Sequence, residues 1–148
     1  MTDSPTMTYA DEAAIARIGT LFAARTLPKA EWTHAAHFAA ALWLLRTPGH
    51  DAERQMPDMI RNYNASLGGV NSDTSGYHET ITLASIRAAR TFLAGRPGDE
   101  PLHVAHAALM AGPCGDKDWL LAWWSRDRLM SVAARRDWQE PDIAPFPF

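Results

Sequence analysis

One segment constrains this chain more than any other. From His34 to Leu45 it reads His-Ala-Ala-His-Phe-Ala-Ala-Ala-Leu-Trp-Leu-Leu, with no charged residue before Arg46. At about 100° per residue, His34, His37, Phe38, Ala41, Leu44 and Leu45 share one face, and Ala36, Ala39, Ala40 and Trp43 lie opposite. A helix that is apolar all round belongs in the interior. The rest of the chain must wrap it.

The rest of the sequence can do so with helices alone. No segment shows the strict alternation of a half-buried strand, Ala is abundant, and Val is sparse. The expected fold is an all-α, single-domain bundle of six to seven helices around a central helix over about 34–46. At 148 residues the chain is long enough to bury a core without disulfides or metal staples. Residues 1–8 read as a loose tail and residues 9–148 as the helical domain. Residues 141–148, Pro-Asp-Ile-Ala-Pro-Phe-Pro-Phe, are too rich in proline for a helix or inner strand and are expected to lie extended across the bundle.

Capping residues place the elements. A first helix is expected over 9–25 with Thr8 as its cap, and Thr33 caps the central helix. Asp51 opens a helix to Leu67 that Pro57 should kink or delay. After the polar, glycine-rich stretch 68–76, a helix is expected over 77–94, and one over 100–111 capped by Asp99. A short Trp-rich helix over 117–124 follows, then a last one, capped by Ser125 or Ser131, reaching Trp138.

Composition excludes several classes. The net charge of -3 gives no basic footprint for nucleic acid. The longest uncharged apolar run, Phe38 to Leu45, is far short of the roughly 20 residues that span a bilayer. The start Met1–Thr8 has neither a basic cluster nor an apolar stretch, so no signal peptide is expected. The single cysteine, Cys114, allows no intramolecular disulfide and fits a reducing compartment. A cytoplasmic protein is expected, and its aromatic tail allows a homodimer.

The candidate site rests on histidines set among apolar residues. His34 and His37 are neighbours at three-residue spacing, and His78 opens the helix over 77–94 on a stripe with Ile81, Thr82, Ser85, Ala89 and Phe92. A buried imidazole must be hydrogen-bonded, neutral or metal-bound. Three neutral imidazoles with an open position describe a catalytic metal site, so a divalent ion (zinc, iron, nickel or copper) held by His34, His37 and His78 is expected. Tyr77 or Glu79 would handle protons for a small-molecule substrate. Glu79 has a second reading as a first-turn residue complementing the helix dipole. Asn64 and Asn71 flank the glycine-rich loop as ligand-binding or turn-forming residues.

Two other classes stay open on the same residues: a metal-free binding or acid–base protein, and a structural domain with satisfied core histidines. His103 and His106 share the three-residue spacing and would extend the site if they faced it. Trp119, Trp123 and Trp124 read as core, and Cys114 as a simple thiol. Arg126, Arg128, Arg135 and Arg136 read as a solvated set pairing with Asp127 and Asp137, with a carboxylate-binding arginine among them left unplaced.

Trp32-Thr33-His34-x-x-His37, Ile60-Arg61-x-Tyr63-Asn64, Asn71 and Gly76-Tyr77-His78-Glu79-Thr80-x-Thr82 form a pattern. Ser125-Arg126-x-x-Leu129, Ala134-Arg135 and Pro141-Asp142-x-x-Pro145 continue it. Over about residues 31–145 it resembles a family of small, mostly uncharacterised bacterial helical proteins. The resemblance favours His34, His37, His78 and Glu79 over His103 and His106. It implies no reaction.

Overall fold

The computed structural model of the chain describes residues 9–148, and the expected tail over 1–8 and the Thr8 cap lie outside them. The described residues form seven α-helices and no strand: α1 Glu12–Ala23, α2 His34–Arg46, α3 Ala52–Ser66, α4 Glu79–Ala94, α5 Leu102–Ala111, α6 Arg126–Leu129 and α7 Val132–Arg136. The all-α architecture is as expected. α2 packs against α1, α3, α4 and α5 at once. Its Ala36, Phe38, Ala39, Ala40, Ala41, Leu42 and Leu44 are buried. The small alanines let neighbours approach closely. α1 crosses so near that a Cβ on Gly19 would fall 2.2 Å from the Trp43 ring.

The element ends follow their hydrogen bonds. Thr33, Asp51, Ser125 and Ser131 each accept an amide of the first turn that follows, as expected of caps. α1 starts later than expected, because Asp11 takes the cap by accepting from the Ala14 amide. Its end uses Arg25 at φ 62°, with Thr26 N–H bonded to Leu21 O and Arg25 N–H to Phe22 O, a left-handed closure that glycine usually provides. α3 starts at Ala52 and runs through Pro57, so its start is not delayed.

α5 differs from expectation. Asp99 does not cap it. The helix begins after Pro101, and the first-turn amide of Leu102 donates to the Glu12 carboxylate of α1. The cap is tertiary, from a residue 90 positions away. The Trp-rich stretch forms only a 3-10 turn, Trp119–Ala122. The single last helix is two short ones, because Ser125 and Ser131 each cap a segment.

Beyond α7 the chain has neither helix nor strand and folds back over the tryptophans. Trp124, fully buried, donates its indole N–H to Gln139 O at 2.8 Å, and Phe146 packs on Trp119, Trp123, Trp124 and Trp138. Asp142 accepts from both the amide and the hydroxyl of Ser125. Thr80 locks this layer to α4. Fully buried, its hydroxyl lies 2.7 Å from Ala134 O and 2.9 Å from Asp137 O and accepts from the Gln139 amide.

Candidate functional site

Two cavities meet at the start of α2. The inner one, about 350 Å³, is walled by Phe38 and Ala41 of α2, Met56 and Ile60 of α3, and Ile81 and Ile86 of α4. Trp119, Leu120 and Leu129 close it from the C-terminal layer. Its polar groups are few: the imidazoles of His34 and His37, the hydroxyls of Thr82 and Ser85, and Lys117, Asp118 and Arg126. The outer cavity, about 570 Å³, lies under the α3–α4 loop, between Lys29, Trp32, Asn64, the glycines of the loop, Tyr77 and His78. His37, Ile60, Ile81 and Thr82 border both cavities.

The expected face of α2 is therefore the one that lines the inner cavity. His34 and His37 both reach it, each with one ring nitrogen held by backbone. His34 Nε2 lies 2.7 Å from Cys114 O, and His37 Nδ1 lies 2.8 Å from Thr33 O. A carbonyl can only accept, so each of these nitrogens carries the proton. The other nitrogen, Nδ1 of His34 and Nε2 of His37, makes no hydrogen bond among the described residues, and in a neutral ring it is an acceptor. Burial pushes the His37 imidazole down to about 4; the Thr33 bond opposes this fall and the neighbouring His34 adds to it. The ring also stacks on Trp32 at 3.8 Å between centroids, and Trp32 stacks in turn on Phe22. The ring is thus neutral at neutral pH, bonded to Thr33 O and packed on Trp32.

His78 is placed differently. It precedes α4 as its cap, with Nδ1 accepting from the Ile81 amide at 3.1 Å and Nε2 donating to Leu129 O at 2.6 Å. Both nitrogens are engaged by backbone. Burial lowers its affinity for a proton, against the bond to Leu129. It borders the outer cavity only, so the three imidazoles do not share one space.

Glu79, in the first turn of α4, borders neither cavity. Its carboxylate accepts the Tyr77 hydroxyl at 2.5 Å, while the Arg61 guanidinium lies 4.2 Å over the Tyr77 ring. Burial, then Glu79, raises the Tyr77 hydroxyl far above the ordinary phenol range. Asn71 Oδ1 accepts from the Tyr77 amide and from Asn64 Nδ2, and Asn71 Nδ2 donates to Arg61 O. Asn71 thus ties the loop down, and it sits so close to Gly76 (φ 81°) that a Cβ there would fall 2.6 Å from its Oδ1. Asn64 borders the outer cavity.

His103 and His106 do not extend the site. His106 bonds to Ala35 O at 2.8 Å and packs on the Tyr9 ring, and neither histidine borders these two cavities. Among the described residues no group of three or more His, Cys, Asp or Glu side chains is placed to hold a metal ion.

The late arginines do not pair as expected. Arg136 meets Asp73, Arg135 reaches the Gly76 and Tyr77 carbonyls, and Arg128 reaches Glu140 O. Arg126 alone of the four borders the inner cavity. The hydroxyls of Thr82 and Ser85 were legible in the stripe shared with His78. Met56 and Ile60 carry no chemical signal in the sequence, and Lys117 none beyond its charge. No helix among the described residues is long and apolar enough to cross a membrane. Comparison of the chain with protein-family models, curated proteins and solved structures gave no match.

Proposed function

We propose that the inner cavity binds a small molecule with an apolar body and a hydrogen-bond donor, held by the free ring nitrogens of His34 and His37. One observation carries this reading. Both imidazoles border the same largely apolar space, and each has one N–H satisfied by a backbone carbonyl, leaving its other nitrogen without a partner among the described residues. A mostly apolar pocket with a few fixed polar groups is the usual form of a small-molecule site. An imidazole held near 4 is a weak base at neutral pH, which supports hydrogen-bond acceptance over proton abstraction.

The test is fluorescence titration with 2-naphthol and 2-methoxynaphthalene, which differ in the donor. The naphthol should bind more tightly, and His37→Phe should weaken it by about fivefold, the worth of one neutral hydrogen bond. Equal binding of the two probes contradicts the reading.

A metal-assisted enzyme is the second reading. Imidazoles whose N–H is fixed by a backbone carbonyl are oriented as metal ligands usually are. A divalent ion at His34 and His37 would complete its shell with water or substrate, without His78. Elemental analysis of the purified protein and of His37→Ala tests it: stoichiometric metal lost in the variant supports it, and metal-free protein removes it.

A further inference from the structure

We infer that the natural ligand of the inner cavity is an anion, an amphipathic carboxylate whose acid group sits between Lys117 and Arg126. This rests on the reading of the cavity as a small-molecule site and adds the ligand's charge.

The inference starts from the fate of the cations. Six ion pairs occur among the described residues, and they use Arg17, Arg61, Arg87, Arg90, Arg96 and Arg136. Arg128 and Arg135 hold backbone carbonyls. Arg46 holds Glu100 O, and of the five cations left without such a contact among the described residues (Arg25, Lys29, Arg54, Lys117 and Arg126), only Lys117 and Arg126 border the inner cavity. They come from separate segments, one before the Trp119–Ala122 turn and one at the start of α6, and both are exposed at the rim.

The one acidic side chain bordering the cavity is Asp118; the exposed Asp116 and Asp127 adjoin the two cations in the chain but do not border the cavity, so its lining holds two cations to one carboxylate. A solvent-facing cation can sit unpaired at little cost. Two of them on the edge of an apolar pocket nonetheless set up a field that favours an anion there. Arg126 adds a planar fork that matches a carboxylate. The wall behind them is Phe38, Met56, Ile86 and Trp119, which fits an aliphatic or aromatic body. The lone pairs of His34 and His37 are acceptors, which a carboxylate cannot satisfy. The acid group therefore belongs at the cationic rim and the donor group at the imidazoles. A hydroxylated aromatic or aliphatic acid meets both demands.

The test compares 6-hydroxy-2-naphthoate with its methyl ester and with 2-naphthol, on the full chain at low and high salt. The free acid should bind about fivefold more tightly than the ester at low salt, in keeping with a partly exposed ion pair, and salt should close the gap. Arg126→Met and Lys117→Met should each narrow it, and Asp118→Asn should widen it. All three lie at exposed positions, and circular dichroism checks their folding. If 2-naphthol binds but acid and ester bind alike, the charge assignment is wrong and the cavity reading stands. If 2-naphthol does not bind either, both fall. A gap between acid and ester that survives the Arg126→Met, Lys117→Met double variant also overturns the assignment.

Discussion

The imidazole of His78 donates to the carbonyl of Leu129 at 2.6 Å while accepting the amide of Ile81. One side chain therefore caps α4 and fastens it to α6. Its sequence position next to Tyr77 and Glu79 reads as chemistry, yet both nitrogens serve the backbone. Replacing His78 with Ala removes a cap worth about 1 kcal/mol. It also leaves a buried carbonyl without its partner, at a further cost of roughly 1–3 kcal/mol. Chemical denaturation of His78→Ala should show a loss in the range of about 2–4 kcal/mol. A change below about 0.5 kcal/mol would mean that neither bond contributes as these generalisations require.

Thr80 is the second fastening between α4 and the C-terminal layer. Thr80→Val keeps the shape and removes the hydroxyl that meets Ala134, Asp137 and Gln139. The expected loss is about 1–3 kcal/mol, with 2-naphthol binding retained wherever the protein is folded. Equal stability of Val and Thr at this position would show that the hydroxyl is not needed to satisfy those groups.

Acid should loosen the fold through the histidines. His37 is held at about 4, and burial also lowers His78 and His106. Between the unfolded value of about 6.5 and the folded value, the unfolded chain binds more protons, so stability rises with pH there. The contribution of His37 is complete above about pH 6.5 and falls away toward pH 4, by up to about 3 kcal/mol. Melting temperature measured from pH 7 to 4 should drop, and His37→Phe should flatten that drop. A wild-type curve flat across this window would contradict imidazoles whose hold on a proton is weakened by the fold.

Arg25 closes α1 in the left-handed region at φ 62°. Glycine takes this conformation without the crowding of Cβ, which costs other residues roughly 1–2 kcal/mol, partly offset by glycine's greater freedom when unfolded. Arg25→Gly should raise stability by up to about 1 kcal/mol and leave ligand binding unchanged. A destabilised variant would show that the Arg25 side chain makes a compensating contact.

Local chemistry was legible in the sequence and long-range chemistry was not. α2 spans His34–Arg46 as its apolar run and the Thr33 cap imply, and its face of His34, His37, Phe38 and Ala41 does line a cavity. The serines that start α6 and α7 were equally readable, because a cap acts within its own turn. The start of α5 was not, since its cap is Glu12 on another helix. His78 was misplaced for the same reason: its partner Leu129 lies 51 residues away. Glu79 turns to Tyr77, two positions before it, a contact that helix periodicity cannot show because Tyr77 precedes the helix. In the sequence Arg126 reads only as one of four similar arginines; in the fold the other three are engaged elsewhere.

The most direct test of the central claim is the ring-nitrogen NMR spectrum of His37 in 15N-histidine-labelled protein, with and without 2-naphthol. His37 should show a neutral ring at pH 7 with its proton on Nδ1, a titration near 4, and an Nε2 resonance that moves when 2-naphthol is added while the His78 nitrogens stay in place. A ring that titrates near 6.5, carries its proton on Nε2, or does not respond to 2-naphthol would contradict it.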